Sequence, residues 1–166
     1  DIQRTAGIVQ SQILEPAWAE ANQARTNDAL LKLGQKRQEL SQKLKNAKGE
    51  RSLVVGDEVA KDFAAARDEI RKALANDHQR AAFDPQAGHL GLGLDEQIGS
   101  HVDTQMREVA HQRASGLIDI HGKNAVDNRS DHGMAVSDLD EAEATFAAYA
   151  RTQGIPEEKI TADTAR

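Results

Sequence analysis

The chain has 166 residues, of which 39% are apolar and only 3% aromatic, carries a formal net charge of −6 and contains no cysteine. This composition excludes disulfides and thiolate metal sites, and no apolar run approaches the ~18 residues of a membrane span. Trp18, Phe63, Phe83, Phe146 and Tyr149 are the whole aromatic set. Burial therefore rests on Ala, Leu and Val, and at roughly 25 cal/mol per Å² a core of such side chains is thin.

Strand formers are scarce, whereas Ala, Gln, Glu, Lys, Arg and Leu dominate, so the expectation is an all-α fold, elongated and part of an oligomeric assembly. The chain opens on Asp1 and shows no charged-then-apolar signal segment. The sequence reading takes it as a processed product or a fragment of something longer.

In chain order, the first expected element is a long coiled-coil-like helix over about 8 to 47, with Pro16 as a kink or restart point. One seam runs Leu14, Ala17, Ala21, Ala24, Asp28, Leu31, and a second runs Leu30, Leu33, Arg37, Leu40, Leu44, Ala47. Leu30, Leu33, Leu40 and Leu44 are the expected oligomer seam, because narrow stripes at three and four are those of helices pairing along their length. Asn46 to Asp57, with a glycine near each end, reads as a connector. A second helix then spans about 57 to 76 with Val59, Phe63, Ala66, Ile70 and Leu74 inward.

Ala82 to Gln97, "AFDPQAGHLGLGLDEQ", reads as a joint: Asp84-Pro85 starts a turn, and Gly88, Gly91 and Gly93 permit sharp bends. Pro85, Gly88, Gly91 and Gly93 are the expected hinge residues. The spacing G-x-x-G-x-G matches neither nucleotide fingerprint, no strand precedes it and no lysine follows, so phosphate binding is set aside. Beyond it a helix from about 95 to 122 should bury Ile98, Val102, Met106, Val109, Leu117 and Ile120. A polar turn spans 123 to 133, and a helix from about 134 to 153 should bury Val136, Leu139, Phe146 and Ala150. Gly154 then Pro156 is a stop-and-restart signal. The expected organisation is thus 1–48 long helix with a basic end, 49–81 connector and second helix, 82–94 hinge, and 95–166 acidic helical region continuing beyond the last residue.

No catalytic signature is present: there is no G-x-S-x-G, no H-E-x-x-H and no cysteine nucleophile. Glu143, on the Phe146 face, reads as a helix-edge carboxylate. Six histidines recur at ten- to twelve-residue intervals, which on one helix sets them about 16 Å apart, too far to share an ion. The set Asp119, His121, Asp127, Asp131 and His132 surrounds one loop without a recognised ligand spacing, and is read as solvated turn residues. The expectation is no enzyme, no cofactor and no metal.

Charge is more informative. Residues 1–48 carry eight Lys or Arg against five acids, and the remainder thirteen against twenty-two. Lys32, Lys36, Arg37, Lys43, Lys45 and Lys48 load the end of the first helix, where cations complement its dipole. They are the candidate contact to DNA phosphates or anionic lipid headgroups, against the alternative of a salt-bridged face.

The stretches "AFDPQAGHL", "HGKNAVDNRSD" and "LDEAEATFAAYARTQGIPEEKITADTAR" resemble the alanine-rich helical segments of bacteriophage internal virion or DNA-ejection proteins. The resemblance covers Phe83 to Arg166, about half the chain, and departs from the pattern at His89, where an aromatic is usual. It implies a structural virion protein, expelled with the genome and built into a DNA-translocation channel in the host envelope or periplasm. The partners it implies are further copies in a ring, other virion proteins, double-stranded DNA held non-specifically, and the host envelope. The alternative is a helical adaptor or scaffold that oligomerises or docks partner helices through the Leu30 to Leu44 seam. A further one is an accessory region of a larger enzyme.

Overall fold

The computed structural model describes residues 15–164, and side-chain surroundings through residue 160. The described chain is all-α: α1 Glu15–Lys45, α2 Arg51–Ala73, α3 Asp77–Asp127, α4 His132–Thr152 and α5 Glu157–Thr164. It forms two compact units, one ending at Asp103 and one beginning at Thr104. The expected helical residues 8 to 14 lie outside the described residues.

In the first unit α1, α2 and the first part of α3 share one core. Leu33, Val59 and Phe83 are fully buried in it, with Leu40, Leu44, Phe63, Leu74 and Leu94 nearly so. Pro16 sits in the first turn of α1, where a missing N–H costs nothing. The inward side of α1 is Asn22, Thr26, Ala29, Leu33, Leu40 and Leu44. Ala17, Ala21, Ala24, Asp28 and Leu31, expected as a seam, are exposed. Polar side chains hold the place they were expected to take. Asn22 Oδ1 accepts from Asn76 Nδ2 at 3.0 Å and from Gln79 Nε2 at 2.7 Å, and Thr26 Oγ1 donates to the Asn22 carbonyl. Gln79 Oε1 accepts from Ala75 N–H and Asn76 Oδ1 from Gln79 N–H, so this buried layer also fixes the α2–α3 turn.

The connector between α1 and α2 is shorter than expected, because α2 begins at Arg51 rather than Asp57. Gly49 supplies the turn with φ 56°, and Ser52 Oγ donates to its carbonyl at 2.7 Å. Ser52, Val55 and Gly56 face inward. Gly56 is a close-approach point rather than a breaker: a Cβ there would lie 3.0 Å from Ile98 Cγ2 and 3.4 Å from Val102 Cγ2.

The main correction concerns 82–97, which is not a joint. It lies within α3, with Pro85 inside the helix. Phe83, Ala87, Leu90, Leu94 and Ile98 recur every three to four residues, and Phe83, Ala87 and Leu94 are at most 1% exposed. No glycine in the stretch takes a positive φ. Gly91 lies against Phe63 and Gly93 against Arg37, at 3.4 and 3.3 Å from where a Cβ would stand. These two glycines serve packing, while Gly88 and Gly99 face open space.

In the second unit α3 continues to Asp127 and a short turn leads into α4. Asp131 caps α4, its carboxylate accepting from Gly133 N–H at 3.1 Å and Met134 N–H at 3.2 Å. Gly154, with φ 71°, ends α4, and Ile155 N–H reaches back to the Ala150 carbonyl at 3.1 Å. Pro156 starts the next turn, as expected: its carbonyl accepts from Lys159 and Ile160. The fully enclosed apolar residues here are few: Ala114, Ala125, Ala150 and Ile160. Leu117, Ile120, Val136 and Leu139, expected inside, are exposed, and Phe146 is half-buried.

Replacing Gly88 or Gly99 with Ala should stabilise the first unit by about 0.5–1 kcal/mol, as in any helix interior with room for a methyl group. Gly56→Leu should destabilise it by about 1–3 kcal/mol through overpacking against Ile98. Denaturant titration followed by circular dichroism measures both; a loss of stability in Gly88→Ala would mean that the stretch needs to bend.

Candidate interaction surfaces

The expected site residues fall into three groups. Leu33, Leu40 and Leu44 are buried in the chain's own core and Leu30 packs partly against it, so this seam is used within the molecule. It offers no open surface to a second chain. Pro85, Gly88, Gly91 and Gly93 lie along one helix and do not form a hinge loop.

The basic end of α1 divides. Lys32 pairs with Asp28 at 2.8 Å, Lys36 with Glu39 at 3.1 Å, and Lys43 with Glu58 at 2.9 Å and Asp62 at 3.3 Å. The two α2 carboxylates raise the Lys43 ammonium above the ordinary lysine value, Glu58 chiefly, through a hydrogen bond. Arg37 is half-buried beside Gly93. Lys45 and Lys48 are exposed and have no carboxylate partner among the described residues. The cluster expected as one phosphate-facing surface thus retains two open cations at the α1–α2 turn.

A shallow groove of about 460 Å³ is lined by Arg67, Asp68, Arg71, Lys72 and Asp84. Its chemistry is internal. Arg71 clamps Asp84 with two hydrogen bonds, Nε to Oδ1 at 2.7 Å and Nη2 to Oδ2 at 3.0 Å, and Arg67 turns onto Asp68. The Arg71 guanidinium, mainly by hydrogen bonding, holds the Asp84 carboxyl below its ordinary range. The Asp84-Pro85 pair that resembles a turn starter is therefore an anchor of α3 on α2.

Two histidine contacts were not legible. His101 Nε2 lies 2.9 Å from the Ala47 carbonyl and, with that acceptor, donates the proton, tying α3 to the α1–α2 turn. In the second unit His121 Nδ1 stands 3.2 Å from Glu141 and 3.7 Å from Asp138, and Asn128 Nδ2 donates to Asp138 at 3.2 Å. The loop set Asp119, His121, Asp127, Asp131 and His132 is thus divided: His121 turns to α4 and Asp131 caps it. Among the described residues no group of three or more His, Asp or Glu is arranged to hold a metal ion. No described helix is long and apolar enough to cross a membrane.

What the second unit does offer is open apolar surface. Leu117, Ile120, Val126, Met134, Val136 and Leu139 are each between 41% and 60% exposed within two helices. Sequence periodicity picked out four of these six, but as core. Comparison with family models, with curated proteins and with solved structures gives no match.

The depressed Asp84 carboxyl gives a signed pH dependence. Its pairing contributes stability above the ordinary aspartate value of about 3.9, and that contribution is lost as pH falls through its lower folded value. Acid unfolding of the wild type should therefore be steeper below about pH 4 than that of Arg71→Gln. Because both groups are nearly half exposed, added salt should shrink the difference. Parallel slopes with and without Arg71 would show that the clamp is not felt.

Proposed function

We propose that this chain works by assembly rather than catalysis: a helical structural component whose second unit docks on neighbouring chains. The observation that carries this reading is the apolar surface of α3 and α4. A unit whose enclosed apolar residues are three alanines and one isoleucine buries little on its own, while six large side chains stand open to water. Such exposure within one small unit is the mark of an interaction surface.

The setting comes from the resemblance of Phe83 to Arg166 to bacteriophage internal virion proteins. In that setting the chain is packaged in the particle, leaves with the genome and joins a channel in the envelope or periplasm. Lys45 and Lys48 are then the groups that meet DNA, loosely and without regard to sequence, since phosphate contacts position but do not specify. The adaptor reading uses the same open faces in another setting, so occurrence in a particle separates the two.

Mass spectrometry of purified particles should find the chain in several copies per particle; its absence from every particle preparation overturns the virion setting. Duplex DNA binding by the purified chain should be weak and should fall with salt. Lys45→Glu with Lys48→Glu should abolish it, whereas Lys32→Glu with Lys36→Glu should alter it little. Equal loss in the two double variants would return the contact to the whole basic end.

A further inference from the structure

The open apolar residues of the second unit include two strips of different electrical character. On α3, Leu117 and Ile120 are 47% and 56% exposed, and on α4, Val136 and Leu139 are 41% and 51% exposed. Each pair is spaced i, i+3, so its two side chains share a helix face. All four follow the periodicity of buried positions, yet nothing in the chain covers them.

The positions three and four residues away decide what surrounds each strip. Around Leu117 and Ile120 they are Arg113, Ala114, Gly116, His121, Lys123 and Asn124, with two cations and no carboxylate. Around Val136 and Leu139 they are His132, Gly133, Ala135, Asp140, Ala142 and Glu143, with two carboxylates and no Lys or Arg. Lys123, Asp140 and Glu143 are exposed. Both strips have an apolar centre of two branched residues and a small-residue border that lets helices approach. Their charges are opposite.

We propose that the α3 strip of one copy docks on the α4 strip of a second copy of this chain. Leu117 and Ile120 lie across Val136 and Leu139 of the second copy, and Arg113 and Lys123 meet Asp140 and Glu143. This inference rests on the assembly reading above and names its surface. A second copy is the occupant because one chain carries both halves of a matched pair. Two like strips would face each other with the same charge, which opposes association, whereas unlike strips attract. A contact between unlike patches leaves each copy with one further strip to offer, so it can repeat around a ring.

The test uses the full chain and two double variants, Leu117→Asp with Ile120→Asp and Val136→Asp with Leu139→Asp, weighed in solution by sedimentation over a range of concentrations. The wild type should exceed monomer mass as concentration rises, and each variant should remain monomeric with unchanged helix content. Mixed one to one, the variants should form a heterodimer and nothing larger, since one retains the α4 strip and the other the α3 strip. Lys123→Glu should weaken wild-type association about tenfold or more, and Glu143→Lys in the same chain should restore it. Either apolar variant associating alone as the wild type does, or a mixture that stays monomeric, overturns the strip contact. A wild type monomeric at every concentration does so too. Particle content, measured separately, still decides the virion setting.

Discussion

The first unit depends on the seating of Phe83, Ala87 and Leu94 in the core that α1 and α2 also enter. Between Phe83 and Leu94 the chain carries a proline and three glycines. Relative to alanine these disfavour helix by about 3 kcal/mol for the proline and about 1 kcal/mol for each glycine, roughly 6 kcal/mol together. Burying Phe83 and Leu94 contributes about 1.5–3 kcal/mol each, and the partly buried Leu90 and Ile98 add to it. The terms nearly cancel, and the remainder is decided by fit. Gly91 and Gly93 leave room for the Phe63 ring and the Arg37 head, and the Arg71 clamp holds Asp84 just before the proline. Tertiary packing keeps the stretch helical against its own local preference.

The second unit shows the opposite balance. Local signals there are strong: the Asp131 cap, the Gly154 stop and the bidentate Arg151–Glu157 pair, whose guanidinium holds the Glu157 carboxyl below its ordinary range through hydrogen bonding. Enclosed apolar volume is small. His121 lies between two α4 carboxylates where a nonpolar residue would ordinarily join two helices, and His111 lies against Tyr149 with ring centroids 5.5 Å apart. Polar contacts of this kind orient a helix pair, but they are not a substitute for buried area. The helices are well specified and the unit is weakly enclosed.

This contrast explains what the sequence could reveal. The all-α class, the inward face Val59–Phe63–Leu74 and the Gly154-Pro156 boundary were all legible, because each follows from periodicity or from a residue with one dominant conformational habit. The α1 register was not, since Asn22 and Thr26 look like surface residues until Asn76 and Gln79 arrive from 54 to 57 residues away. The 82–97 helix was not, since glycine and proline carry local meaning and the packing that overrides it is long-range. The basic end of α1 was half legible: its position is in the sequence, but Glu58 and Asp62 reach Lys43 from another helix.

The misplaced core residues carry a different lesson. Val59 and Leu117 are equally apolar and equally well spaced, and only one is enclosed. Periodicity reports that a helix face is suited to burial; it does not say whether the covering surface belongs to the same chain. In the first unit three helical segments meet and the faces are consumed internally, which is why the Leu30 to Leu44 seam is closed to partners. In the second unit two principal helices and one short one leave faces over, and those faces keep the spacing of a core. An apolar stripe that is regular in sequence and open in the folded chain is best accounted for by burial between molecules, because water-facing positions under no such demand have no reason to keep the period.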